Sequence, residues 1–339
     1  MSECLISRHG GKYRIGKTIT DENMSIYQKA GNIVWGPSAF ENCSHVKADS
    51  HYFYCTRINA LAVGKCAFMC IDPESGNIVW NFTYNSYSEM DLKSTTSGNL
   101  ILIGFCGNNV SGVSITCCDT NGNLKWNYSD GEYAITVQGC CLDDNGNAYV
   151  ALDNGYLVKI NSSGELEWKI SKPSGNSKTV IAKNYLYCIT QYDNMITISR
   201  YNLFGDIENL NYFSFSSTSS LQNVTINLDM TCLYISSGKI YAIDITNSTG
   251  AIIYTLNTTD CYGIAYKNGF LYLSGNLEKY NAITGQQLWS IPYTSIPNNS
   301  YAIRDLAVND EGYILGIVDA GSNSKLFLSI SKYIYIIDN

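Results

Sequence analysis

Every tryptophan of this chain stands four residues after a glycine: Trp35 after Gly31, Trp80 after Gly76, Trp126 after Gly122, Trp168 after Gly164 and Trp289 after Gly285. Gly205 and Gly250 keep the same frame, with Asn209 and Tyr254 in the place of the indole. The unit recurs about every 42 residues. A fixed period of this length, with one turn and one aromatic per unit, specifies a repeat architecture in which each unit buries its apolar face only against its neighbours.

The clearest unit, residues 133–170, reads as four short strands. Turns rich in Asn, Asp and Gly separate them, because these residues supply the positive φ that a tight hairpin needs. Four antiparallel strands in about 40 residues make one blade of a β-propeller. The first hairpin recurs with turns near Asp49-Ser50, Ser97-Gly98, Asn145-Gly146, Lys183-Asn184, Asp229-Met230, Asn268-Gly269 and Asp310-Gly312. The second recurs internally up to Trp289 and then runs out: Tyr333–Asp338 reads as a third strand with no fourth. The missing strand stands at the other terminus, where Gly31-Asn-Ile-Val-Trp35 is identical to Gly76-Asn-Ile-Val-Trp80.

The expected fold is therefore all-β: a seven-bladed β-propeller of four-stranded antiparallel blades, closed by an N-terminal outer strand pairing with C-terminal strands. Joining the two ends removes the free sheet edge. Eight blades is the alternative, because the run Leu326–Ser331 has no unique place. Residues 1–25 are expected as an attachment or capping segment with a hairpin around Gly10-Gly11, and residues 26–339 as the propeller. Asn209 and Tyr254, lacking the indole, are expected to mark looser seams.

The segments Cys70-Ile-Asp-Pro-Glu-Ser-Gly-Asn-Ile-Val-Trp80, Cys118-Asp-Thr-Asn-Gly-Asn-Leu-Lys-Trp126 and Lys279-Tyr-Asn-Ala-Ile-Thr-Gly-Gln-Gln-Leu-Trp289 resemble the PQQ-like repeat. Quinoprotein dehydrogenases and the outer-membrane assembly lipoprotein family share that repeat. The resemblance runs from about Gly31 onward and implies the propeller fold. It does not imply a quinone cofactor, since most propellers built from the repeat bind none. The adjacent pairs Cys117-Cys118 and Cys140-Cys141 invite comparison with the vicinal disulfide of some quinoproteins. Both lie in strands, however, where neighbouring side chains point to opposite faces.

Composition narrows the function. Charged residues are 15% of the chain, the net charge is −7, and the 22 basic residues are scattered singly. There is no basic stripe to follow a phosphate backbone, so nucleic acid is not an expected partner. No apolar run approaches the about 20 residues of a membrane span, so membrane insertion is not expected. The N-terminal stretch lacks the apolar region of a secretion signal, which points to synthesis in a reducing cytosol. The 13 cysteines are odd in number and sit mostly in apolar runs, as free buried thiols do. Abundant Asn, Ile, Tyr and Lys beside few Arg point to an AT-rich bacterial or phage genome.

No recognised catalytic pattern is present, and no cofactor or metal is expected. Cys43, His45, His51 and Cys55 follow no trusted zinc spacing. Asp143-Asp144-Asn145 reads as a hairpin turn, since the rest of a calcium loop is missing. What remains is surface. Tyrosines gather where the fourth strand of one blade leads to the first of the next, among them Tyr84, Tyr87, Tyr128, Tyr133, Tyr262, Tyr293 and Tyr301. These connections emerge on one face of the ring together with the loops between second and third strands. Tyr84, Tyr87, Tyr133, Tyr262 and Tyr301 are the expected contacts for a protein or glycan partner, because a tyrosine offers a flat apolar face and a hydroxyl. The expected function is a non-catalytic binding or structural propeller, in one version a phage virion component such as a tail or receptor-binding protein. The alternatives are a cytosolic bacterial scaffold or sensor and, less favoured, a PQQ-dependent oxidoreductase.

Overall fold

The computed structural model describes residues 6–9, 12–15, 24–28, 33–35, 43–57, 65–73, 75–85, 88–94, 100–106, 113–129, 137–258, 261–292, 303–320, 323–330 and 334–337. Every regular element among them is a strand, so no helix there is long and apolar enough to cross a membrane. The strands form seven four-stranded antiparallel sheets and two two-stranded ones. The first sheet holds Cys43–Ala48, Phe53–Arg57, Lys65–Ile71 and Ile78–Asn85. The second holds Ser88–Ser94, Leu100–Cys106, Val113–Asp119 and Leu124–Ser129. The third holds Val137–Leu142, Ala148–Leu152, Tyr156–Ile160 and Leu166–Ser171. Asn176–Ala182, Tyr185–Tyr192, Met195–Asn202 and Ile207–Ser216 make the fourth. Asn223–Ile226, Cys232–Ser236, Lys239–Asp244 and Ala251–Asn257 make the fifth. Ile264–Lys267, Phe270–Leu273, Leu277–Asn281 and Gln287–Ile291 make the sixth. The seventh joins Ile303–Val308, Tyr313–Ala320 and Asn323–Ile330 to Ile33–Trp35 from the other terminus. In each sheet the strands lie side by side in chain order, apart from that last exchange.

The core lies between the sheets. One apolar layer packs Ile115, Cys117 and Trp126 of the second sheet on Val137, Val150 and Ile160 of the third. Comparable layers join every other neighbouring pair. Ala307, Leu315 and Ile317 of the seventh sheet meet Val46, Phe53 and Met69 of the first, which returns the stack to its start. The first strand of each sheet also touches the first strand of the next, around the same circuit. This is an all-β propeller of small antiparallel sheets.

The terminal strands depart from expectation. Ile33–Trp35 does pair with the C-terminal region, with Trp35 opposite Leu328 and Ser329 opposite Ile33. Its partner is Asn323–Ile330, the apolar run that had no unique place. Ala320 pairs with Asn323, so only Gly321 and Ser322 join that strand to the one before it. A two-residue connection fixes hairpin register and places Asn323–Ile330 as the third strand. Ile334–Ile337, expected in that position, instead pairs with Met24–Gln28 in a separate sheet. The hairpin around Gly10-Gly11 is present, with His9 opposite Lys12.

The repeated glycine and aromatic meet across the seams. A Cβ on Gly122 would lie 2.8 Å from the Trp80 ring, and one on Gly164 2.7 Å from Cβ of Trp126. The Trp80 indole N–H donates to Thr120 O at 3.0 Å, and that of Trp168 to Leu203 O at 3.4 Å. Each turn is shaped by the Asp or Asn ending the third strand. Asn161 Oδ1, for example, accepts from the backbone N–H groups of Ser163 and Glu165, both at 3.0 Å. The looser seams expected at Asn209 and Tyr254 are instead occupied. In the fourth sheet the pairing slips on either side of Arg200, and Tyr212 and Phe213 together cover Gly250, with Tyr212 donating its hydroxyl to Asn247 O. Tyr254 lies against Gly285 and donates to Ala282 O.

Between the seventh sheet and the first, the turns joining first and second strands are stitched together. Asp310 N–H donates to Ser50 O at 3.2 Å and Asn309 Nδ2 to His51 O at 2.9 Å, while His51 Nδ1 lies 2.6 Å from Glu311 Oε1. Hydrogen bonding to Glu311 raises the His51 pKa above its ordinary value of 6.5. The folded state thus favours the imidazolium. Its contribution is complete below about pH 6.5 and fades as pH rises through the folded pKa.

Two outcomes are expected. Gly155 and Gly164 share a φ of +86°, but a Cβ on Gly155 would meet nothing within 4 Å. Urea unfolding should show Gly155→Ala costing about 1 kcal/mol from backbone strain alone. Gly164→Ala should cost about 2–4 kcal/mol, the excess arising from the displaced Trp126; equal costs would refute the docking. His51→Gln should lower the melting temperature at pH 6 more than at pH 8.5, where the two proteins converge.

Candidate binding face

In an up-and-down four-stranded sheet, the turn between second and third strands lies at the same end as the connection to the next sheet. Over the third to seventh sheets this end is bound together by short polar side chains. Gln191 Nε2 donates to Ser219 O at 2.8 Å, and the side-chain oxygen of Gln191 accepts from Leu221 N–H. Ser217 Oγ reaches Ser237 Oγ at 2.8 Å, Ser236 Oγ donates to Cys261 O at 2.6 Å, and Tyr262 N–H donates to Ser274 Oγ at 3.0 Å. Gly275 and Ile303 exchange backbone hydrogen bonds at 3.0 Å. Lys172 is buried, and its Nζ donates to Ser177 Oγ at 3.0 Å and Gly175 O at 3.3 Å. Burial pulls its pKa below the ordinary lysine value. Serine, with one rotatable bond before its hydroxyl, holds these loops at little entropic cost.

The innermost strands begin at this same end, and four of them bulge there. Pairing slips between Val137 and Gly139, between Ile303 and Asp305, between Cys43 and Val46, and between Glu89 and Asp91. Gln138, Arg304, Ser44 and His45 stand at the slips, with Arg304 exposed. Close approach of neighbouring inner strands requires glycine: a Cβ on Gly139 would lie 2.7 Å from Cα of Lys178. Asp305 is buried against this set, 3.8 Å from His45 Nδ1, and accepts from Val46 N–H at 3.2 Å. Burial pushes its pKa up, but the charges of Lys47 and His45 and the hydrogen bonds outweigh it and hold the carboxyl below its ordinary value.

Of the expected contact tyrosines, Tyr262 is 43% exposed on this face. Tyr84 lies in a fourth strand opposite Cys66, while Tyr87, Tyr133 and Tyr301, like Tyr293, lie outside the described residues. Tyr128 does not belong to the set, because it pairs with Ile115 and packs on the apolar layer between the second and third sheets. Three other large side chains are exposed at this end. Tyr192 and Met195 flank a turn between second and third strands and are 64% and 45% exposed, and Tyr156, at the start of its third strand, is 38% exposed. Lys169 Nζ sits 4.5 Å over the Tyr156 ring. The signal was available: large side chains beside Asp153-Asn-Gly155 and Asp193-Asn194 have no strand-interior position in which to hide.

The remaining candidate residues divide among structural roles. Cys43 and Cys55 share one apolar layer, while His45 faces Asp305 and His51 faces Glu311. Asp143 spends its oxygens on the turn, accepting from the N–H groups of Asn145 and Asn147 at 3.0 and 2.9 Å. Cys117 and Cys118 enter different apolar layers, as do Cys140 and Cys141. Burial pushes the thiols of Cys70, Cys117 and Cys261 up to about 12 and that of Cys232 to about 11. A thiolate is the reactive form, so these groups are inert at neutral pH.

Among solved structures the chain is similar to the β-propeller domain of Myceliophteria thermophila Cps50 (Swd1), with a TM-score of 0.63 over 84% of this chain and 96% of that one. The two are 10% identical, so the likeness concerns the fold alone. No family model matches the chain. No curated protein matches it either.

Among the described residues, ten cysteines are buried thiols. Ellman's reagent at pH 8 should therefore titrate no more than three thiols of the native protein rapidly, and all 13 after denaturation. A larger native burst would contradict the burial.

Proposed function

We propose that this chain is a non-catalytic binding propeller that holds a protein partner on the face carrying the connections between sheets. The observation that carries the reading is the combination there of exposed Tyr156, Tyr192, Met195 and Tyr262 with loops fixed in advance by hydroxyl-to-carbonyl hydrogen bonds. Large amphipathic side chains on a rigid support lose little entropy on binding, and tyrosine is enriched among the residues that dominate interface energies. Arg304, exposed at the bulge that begins the seventh sheet's first strand, adds a positive charge that suits an acidic or carbonyl-rich segment. The reading assigns no reaction to the chain.

Seven apolar layers between seven four-stranded sheets support a seven-bladed ring closed by Ile33–Trp35. The affinity with PQQ-like repeats rests on the Gly-to-Trp spacing. The thiols of Cys117 and Cys118, separated into different layers, lend nothing to a quinone-dependent oxidoreductase. The scaffold reading needs no more than the face, whereas the virion version draws no support from the fold likeness.

Photo-crosslinking tests the reading. Benzoylphenylalanine at Tyr192 or Tyr262 should capture a partner protein from source extract, whereas the same group at Leu124 or Ile283, exposed near the opposite end, should not. The triple variant Tyr156→Ala, Tyr192→Ala, Tyr262→Ala should lower binding at least tenfold with an unchanged melting temperature. Equal capture from both ends, or affinity unmoved by the triple variant, would overturn the proposal.

A further inference from the structure

The chain holds 13 cysteines and 6 methionines. Among the described side chains, ten cysteines are buried and Met69 is 1% exposed. Met230 is half-buried, and its Sδ accepts from Lys183 N–H at 3.1 Å. Met195 differs, being 45% exposed. It opens the third strand of the fourth sheet, paired with Tyr192 across the Asp193-Asn194 turn and with Ser216 of the outer strand. Directly opposed residues share a face of the sheet, so these three form one exposed row across its end. The turn itself is held in place. Asn194 O accepts from Ser217 N–H at 2.8 Å, and Asp193 O from Gln191 Nε2 at 3.4 Å. Pinned in this way, the strand start keeps its thioether at the surface.

We infer that Met195 is a site of reversible oxidation by hydroperoxides, and that its sulfoxide disarms the proposed partner face, on which reading this second part rests. A sulfur lone pair attacks a peroxide oxygen, the O–O bond breaks, and an S–O bond forms. With hydrogen peroxide one water leaves; sulfur gives up two electrons and the peroxide takes them. A dithiol reductant reverses the step, becoming a disulfide and carrying the oxygen off as water. Thiolates would compete for the oxidant, but the described thiols are buried. Oxidation turns a flexible apolar side chain into a polar one. Beside Tyr192 that polar group must be stripped of water when a partner covers the row, which opposes binding.

The full chain treated with hydrogen peroxide at neutral pH and mapped by peptide mass spectrometry tests the first part. Met195 should gain oxygen at least tenfold faster than Met69 and at least threefold faster than Met230. Benzoylphenylalanine at Tyr262 reads the second part. Peroxide should cut its capture of a protein from source extract at least fivefold, and a methionine sulfoxide reductase with dithiothreitol should restore it. Met195→Leu should capture equally before and after peroxide, whereas Met195→Gln, polar and unbranched, should capture as poorly as the oxidised chain. Oxidation of Met195 no faster than of Met230 would overturn the inference. So would Met195→Leu losing capture on oxidation, or Met195→Gln capturing as the unoxidised chain does. An untreated chain that captures nothing defeats the partner reading and the disarming with it, while the peptide map alone decides the oxidation.

Discussion

An aromatic ring on the outer strand of one sheet, resting on the glycine of the next sheet's turn, is the contact on which the rest of this structure depends. No sheet here has a core of its own: each buries its faces only against its two neighbours. The inner strands converge and pack readily, but the outer strands diverge with distance from the centre. A wide, flat side chain with a polar tip closes that gap, placing its ring on a residue without Cβ and its N–H or O–H on a turn carbonyl.

The fourth sheet shows that the requirement is geometric. Asn209 stands in the tryptophan frame, opposite Arg200. There Arg200 lies 4.6 Å from the Tyr185 ring and 5.0 Å from the Tyr212 ring, and the strand slips so that Tyr212 reaches the next turn. Among the described residues, the spacing rule in the sequence identifies the residue that performs the task in four sheets, those of Trp80, Trp126, Trp168 and Tyr254, but not the one that does so once a bulge changes the phase. The two ends of the sheets then serve different purposes. Turns within hairpins are closed locally by Asp and Asn, which leaves clefts between adjacent turns. Connections between sheets are longer and are held by hydroxyls from neighbouring turns, which gives a firm surface carrying exposed Tyr and Met.

Much of this was legible beforehand. The positions of the hairpins, the four-strand unit, the opposite orientation of adjacent cysteines and the return of the N-terminal strand to the last sheet all follow from periodicities of two residues and about 42. Those signals are local, because a strand's alternation and a turn's positive φ are decided within a few residues. The proposed binding face was only partly legible. Tyr262 was identified and is exposed, but Tyr128, close to such a connection in sequence, is half-buried against the apolar layer between the second and third sheets. Tyr156, Tyr192 and Met195 escaped because whether a strand-end side chain is exposed depends on the neighbouring sheet.

By itself, the sequence determined the repeat, its strand count and the identity of the docking ring wherever glycine and tryptophan kept their frame, since these rest on backbone sterics and side-chain size. Tertiary structure decided which C-terminal run receives Ile33–Trp35, how Tyr212 replaces Asn209, and that Met195, unlike Met69 and Met230, stands exposed. Those outcomes depend on groups far apart in the chain, and their distances are set only when the sheets close on one another.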